Sequence, residues 1–143
     1  MQQSSHTQAP RSQDPHTHEQ VLQAAAHLVS AFASNDTARY FASFSPEATF
    51  VFHTLPQPLY TRAEYEAVWA QWQAEGFAVL ECQSNNGHVS LQGEVAIFIH
   101  DVSTRLRVAG EEVQCEERET IVFHHREGRW LACHEHLSVA SAA

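Results

Sequence analysis

Residues 94–138 constrain the fold more than any other part of the chain. They read as three consecutive β-strands, 94–108 (EVAIFIHDVSTRLRV), 111–125 (EEVQCEERETIVFHH) and 129–138 (RWLACHEHLS), joined by short turns that contain Gly110 and Gly128. A meander of this length is long enough to curve and close over helices that precede it. Its register decides which side chains face them. At Arg126-Glu127-Gly128 a three-residue loop with glycine in the left-handed position fits the sequence. That loop pairs Phe123 with Leu131, Ile121 with Cys133 and Glu119 with Glu135. One face then carries Glu117, Glu119, Ile121, Phe123, Leu131, Cys133, Glu135 and Leu137. The other carries Arg118, Thr120, Val122, His124, Trp130, Ala132, His134 and His136. The first is richer in aliphatic residues and is taken as the inside. A two-residue loop would mix the sets and bring His134 beside Ile121.

The same loop type at Val108-Ala109-Gly110 sets Ile97 across from Ile121, Ile99 from Glu119 and Asp101 from Glu117. Val95, Ile97, Ile99, Asp101 and Ser103 thereby join Glu119 on the inner face, with Phe98 and His100 pointing away. A carboxylate at the end of an apolar run costs free energy unless it is hydrogen-bonded or neutral. Asp101 therefore has two readings, a pocket acid or base and a strand-end carboxylate paired with Arg105 or Arg118.

A chain of 143 residues makes one domain with a single substantial core. The formal charge of −9 argues against nucleic acid or an anionic membrane surface as partner. The sequence has no bilayer-spanning apolar run, and its polar beginning lacks a signal-peptide core. Cys82, Cys115 and Cys133 are an odd, scattered set, as expected of reduced thiols in a cytoplasmic protein. Phosphate- and dinucleotide-binding glycine patterns are missing, as is a nucleophile elbow, so no cofactor is expected.

Residues 1–17 are polar and proline-containing and read as a disordered tail, leaving 18–140 as the domain. Val21, Leu22, Ala25, Leu28, Val29 and Phe32 recur at helical spacing and predict a helix over 18–34. Asp36 caps a short second helix through Phe44. Residues 48–54 alternate as a strand. Thr61 with Glu64 three residues on opens a third helix to Ala74, which carries Tyr65, Trp69 and Trp72. Two strands, 77–83 and 88–92, follow around Asn85-Asn86-Gly87.

With this element order, the Ser45-Pro46-Glu47-Ala48-Thr49-Phe50 entry, the Tyr65…Trp69 helix and the ending EGRWLACHEHLS, the chain resembles the nuclear transport factor 2-like superfamily, in its SnoaL-like branch. The ending is also similar to the association domain of calcium/calmodulin-dependent protein kinase. The resemblance implies an α+β fold, a cone-shaped, strongly curved, mostly antiparallel sheet wrapped around N-terminal helices, with a conical cavity between them. It implies Trp69 as a pocket-lining aromatic and a homodimer through the outer sheet face. The kinase domain takes up anions with arginines, whereas Ile121 and Leu137 stand at corresponding positions here. Asp101, Glu119 and Glu135 instead imply a neutral, polarised or cationic ligand.

His53 ends the apolar run Phe50-Val51-Phe52, where an imidazole is suited to reversible proton transfer or simply meets water. Tyr65 and Trp69 share a helical face as pocket wall or core. His124, His134 and His136 could gather round a zinc ion, but they lie on the expected outer face and no metal is expected. The expected function is a small-molecule-binding domain with capacity for isomerisation, dehydration or cyclisation on a small apolar substrate. Asp101, His53 and Glu119 are the expected proton-transfer groups. Tyr65, Trp69, Ser103, Ile121, Glu135 and Leu137 are the expected ligand contacts. A non-catalytic ligand-binding or dimerisation module is the alternative.

Overall fold

The computed structural model describes residues 14–140. Helix α1 (Pro15–Ala33) is capped by Asp14, whose carboxylate accepts the His16 and Thr17 N–H groups and the Thr17 hydroxyl. Residues 1–13 of the expected tail lie outside the described residues, and Pro15, His16 and Thr17 form the helix's first turn rather than tail. Val21, Ala25 and Leu28 form the buried stripe of α1. At its end Asn35, at φ 60°, bonds both the N–H and the C=O of Val79, which ties the turn to the sheet. Helix α2 (Thr37–Ala42) is capped by Asp36 and buries Tyr40 and Phe41. It stops before the expected end at Phe44, because Phe44 already begins strand β1 (Phe44–Phe52). Helix α3 (Arg62–Ala74) starts as read: Thr61 accepts the Glu64 N–H, and Glu64 accepts that of Tyr60.

Four long strands complete the chain, β2 (Ala78–Gln92), β3 (Val95–Val108), β4 (Glu111–Arg126) and β5 (Arg129–Val139). They form one curved, unclosed sheet in the order β1-β5-β4-β3-β2, with β1 parallel to β5 and every other pair antiparallel. Pro46 is accommodated because β1 is an edge strand with a register irregularity between Phe44 and Thr49. The two strands expected around Asn85-Asn86-Gly87 are one, β2, with a bulge there. A Cβ at Gly87 would sit 3.0 Å from the Phe98 ring, a contact tighter than ordinary packing unless the ring shifts. The helices lie on the concave face. There Phe44, Phe50, Tyr65 and Trp69 pack ring against ring, fully or nearly fully buried.

Both meander turns are one residue shorter than expected. Val108 pairs with Glu111 and Arg126 with Arg129, leaving the two-residue loops Ala109-Gly110 and Glu127-Gly128, all four residues at positive φ. In β3 the slip reverses every side chain. Ala96, Phe98, His100, Val102 and Thr104 are buried, and the alternate set with Asp101 and Ser103 faces away from the helices. In β5 the outcome differs, because Cys133 is an unpaired bulge between the Phe123–Ala132 and Val122–His134 pairs. Beyond it Ile121 pairs with Glu135 and Glu119 with Leu137, so all four lie on the inner face as expected. Before it the faces are exchanged. Ala132 is fully buried, and Trp130 packs towards the core with its Nε1–H donated to Gln20 of α1.

Candidate functional site

The curvature of the sheet leaves a cavity of about 370 Å³ beneath the helices. Its wall is mainly apolar, drawn from Leu28 and Phe32 of α1, Phe52 of β1, Tyr65 and Trp72 of α3, and Leu106 of β3. Exposed Thr54, Glu75, Val108 and Ala109 ring its mouth, and Tyr40, Tyr65, Glu119 and Glu135 lie buried at its floor. The Tyr40 and Tyr65 hydroxyls are 2.9 Å apart. Burial and the charge of Glu135 push both phenols well above their ordinary value.

The polar groups of the cavity come from the inner faces of the meander. Glu117 and Glu119 are two apart on β4 and hence on one face; Glu135 joins them from β5. The Glu119 and Glu135 carboxyls lie side by side, a contact that is favourable only when one of them carries a proton. Burial raises the pKa of Glu119. It raises that of Glu135 well above the ordinary carboxylate value, with the Glu119 charge adding to the effect. Glu135 is 3% exposed, and its Oε1 has no hydrogen-bond partner.

His100, 1% exposed, stands behind this pair. Its Nε2 is 2.7 Å from Glu119 Oε1 and its Nδ1 2.5 Å from Ser84 Oγ. Burial pushes its pKa down to about 4, so the ring is neutral and its contact with Glu119 is a hydrogen bond rather than an ion pair. The neutral ring donates Nε2–H to Glu119 and accepts from Ser84. That places negative charge on Glu119 and the shared proton towards Glu135. Nearer the mouth, His53 Nε2 lies 2.6 Å from Glu117 Oε2, with the His53 side chain 30% exposed.

Of the residues expected at the site, Tyr65, Glu119, Glu135 and Leu137 line the cavity. His53 touches it through Glu117. Trp69 and Ile121 are core: the Trp69 indole packs among aromatic rings and donates Nε1–H to Thr37, and Ile121 is fully buried. Asp101 is not a pocket residue. The one-residue slip of β3 turns it outward, where Arg118 and Asn86 bind it and hold its carboxyl below the ordinary value. Ser103 is outward for the same reason and donates to Glu116.

The sequence reading missed His100, Tyr40 and Glu117 as site residues, together with Thr104, Cys82 and Cys115 of the wall. The Glu117-x-Glu119-x-Ile121-x-Phe123 alternation was a usable signal, since it puts two carboxylates in phase with a buried apolar pair. Burial pushes the Cys82 thiol up to about 11, which keeps it protonated. Two of the three histidines considered for zinc are engaged otherwise: His134 Nδ1 is 2.7 Å from Thr49 Oγ1, and His124 Nδ1 accepts from Arg126. Among the described residues no three metal-binding side chains converge.

The model of a SnoaL-like domain family matches residues 21–142. No curated protein matches the sequence. Among solved structures, a Xanthomonas campestris protein assigned as a calcium/calmodulin dependent protein kinase II association domain superposes with a TM-score of 0.73 at 18% identity, over 94% of this chain and 95% of that one. An NTF2-like protein of unknown function in nutrient uptake from Rhodospirillum rubrum gives 0.74 at 17% identity, over 85% and 98%. An NTF2-like protein from Cytophaga hutchinsonii gives 0.75 at 10% identity, over 86% and 98%. Likeness at these identities is a likeness of fold.

Proposed function

The chain belongs to the SnoaL-like domain family, and on that premise we propose that its cone binds one small, largely apolar molecule and transfers a proton within it. The observation that carries this reading is the Glu119–Glu135 pair at the floor of an apolar cavity, with Glu135 Oε1 buried and unpartnered. Two carboxyls that share one proton can take a proton from one position of a ligand and return one to another. Burial places their pKa nearer neutrality, where such exchange is fastest. Isomerisation, dehydration and cyclisation all reduce to that step, the proton returning to carbon or to a departing hydroxyl. Glu135 is the group facing the ligand, Glu119 its proton partner, and His100 positions Glu119.

The test is turnover of enones, hydroxyketones and polyketide-like substrates, amine-bearing ones among them. Glu135→Gln should lower any activity found by about 10²–10⁴-fold, whereas Asp101→Asn, outside the cavity, should not change it. A Glu135→Gln variant that retains full activity would remove the pair from the chemistry. A non-catalytic binding module remains the second reading. It is favoured by the fact that Glu119 is already held by His100, which makes the pair a fixed acceptor for orienting a ligand.

Two further parts of this reading concern assembly and place. Val51, Ile97, Val122 and Leu131 sit half-buried beside His134 and His136 on the convex face, which supports pairing with a second copy there. Sedimentation at micromolar concentration should give a dimer at neutral pH, and a monomer would refute it. Free thiols at Cys82, Cys115 and Cys133 suit a reducing cytoplasm. Among the described residues no helix is long and apolar enough to cross a membrane.

A further inference from the structure

The charge inside the cavity is one-sided. Glu75, Glu117, Glu119 and Glu135 line it, and among the described residues no lysine, arginine or histidine does. The two imidazoles that reach the lining carboxylates are both engaged, His53 with Glu117 at 2.6 Å and His100 with Glu119 at 2.7 Å. A pair of adjacent carboxyls that shares one proton carries a net charge of −1. An anionic ligand would bring a second negative charge into the same enclosed volume. A neutral one would leave the first uncompensated. A cation cancels it.

Hydrogen-bond polarity points the same way. A proton shared by two carboxyls lies between them, and His100 Nε2 is engaged with Glu119 at 2.7 Å. What remains at the floor is the Glu135 carboxyl, whose Oε1 is buried without a hydrogen-bond donor in a residue that is 3% exposed. A buried acceptor with no donor is costly, and a carbonyl ligand would set a second acceptor against it. An ammonium group has only donors. The walls suit it as well: Tyr40, Phe52, Tyr65, Trp72 and Phe77 surround the space, and aromatic faces attract a desolvated cation.

We propose that the ligand is a lipophilic amine in its protonated form, its ammonium seated on Glu135 and Glu119 at the floor and its apolar body against the aromatic wall. This rests on the ligand-binding reading above and gives that ligand a chemical class.

Calorimetric titration of the whole chain at neutral pH with three probes on nearly one skeleton tests it: 4-phenylbutylamine, 4-phenyl-2-butanone and 4-phenylbutyrate. The amine should bind at least about tenfold more tightly than the ketone, a difference of about 1.4 kcal/mol, and the carboxylate most weakly. Glu135→Gln should remove most of the amine's advantage while leaving the ketone's affinity near its starting value. Should that variant fail to fold, the wild-type ranking decides the matter alone. A ketone or carboxylate that binds as tightly as the amine overturns the cationic assignment and leaves the ligand-binding reading intact. An amine whose affinity is untouched by Glu135→Gln also overturns it, because its charge is then met elsewhere on an acidic surface. If none of the three binds at millimolar concentration, the ligand-binding reading fails along with the inference.

Discussion

The β3–β4 and β4–β5 hairpins share a strand and end in the same kind of two-residue turn, yet only the second carries an extra residue. In β3–β4 the ladder runs unbroken from Val108–Glu111 to Val95–His124. The phase set at the turn therefore reaches the far end, putting His100 inside and Asp101 outside. In β4–β5 the same phase lasts only to Phe123–Ala132. The unpaired Cys133 then reverses it, and Glu135 and Leu137 come inside. A bulge thus lets one strand offer Trp130 and Ala132 to α1 at one end and Glu135 to the cavity at the other. The acidic floor depends on that reversal, since without it His134 would take the place of Glu135 opposite Ile121.

Adjacent residues on β3 give the sharpest contrast between the two faces. His100→Ala should cost about 2–4 kcal/mol, because it opens a void and strips hydrogen bonds from Glu119 and Ser84. Asp101→Ala should cost under about 1 kcal/mol, since it breaks only exposed contacts, the ion pair with Arg118 and the hydrogen bond from Asn86. Urea midpoints of the two variants measure this directly. A larger loss at Asp101 would restore the opposite register.

Acid should act through the same inner face. The folded pKa of His100, about 4, lies below the ordinary 6.5, so the unfolded chain takes up a proton that the folded chain refuses. Its contribution is therefore full above pH 6.5 and is lost as the pH falls towards 4. Glu135 has the opposite sign: its raised pKa stabilises the fold at low pH, an effect lost as pH rises through the folded value. Over the acid window the wild type should lose about 1–3 kcal/mol through His100. His100→Asn should show a visibly shallower decline, and parallel curves for the two proteins would mean that this imidazole is not buried neutral.

The turns should yield the smallest effect. Ala109 and Glu127 both sit at φ 52°, where residues with a Cβ are strained. Ala109→Gly and Glu127→Asn should each raise stability by about 0.5–1 kcal/mol in thermal melts. No gain at either would argue for longer loops than two residues.

These turns also explain which parts of the structure were legible in the sequence. Helix α3 was readable because Thr61 and Glu64 satisfy its first N–H groups locally, and α1 because Val21, Ala25 and Leu28 mark one face. The inner face of β4 was readable because Glu117, Glu119, Ile121 and Phe123 alternate with more polar neighbours. The face of β3 was not. Val95, Ile97 and Ile99 are as apolar as Ala96, Phe98 and Val102, so pattern alone cannot choose between them. The choice fell to a turn whose first residue, Ala109 in one hairpin and Glu127 in the other, lacks the asparagine or aspartate that advertises a two-residue loop. His100 was lost from the site and Asp101 gained by that single residue. Glu135 was placed on the correct face only because a missed turn and a missed bulge cancel.

The central claim is that Glu119 and Glu135 share a proton at the cavity floor. Infrared difference spectroscopy across a pH titration, on the wild type and on Glu135→Gln, tests it most directly. The account predicts a carboxylic-acid C=O band in the wild type that outlasts the ionisation of ordinary carboxyls as the pH rises and is missing in the variant. A wild type whose glutamates have all ionised by the pH expected of an ordinary carboxyl, near 4.5, would contradict it.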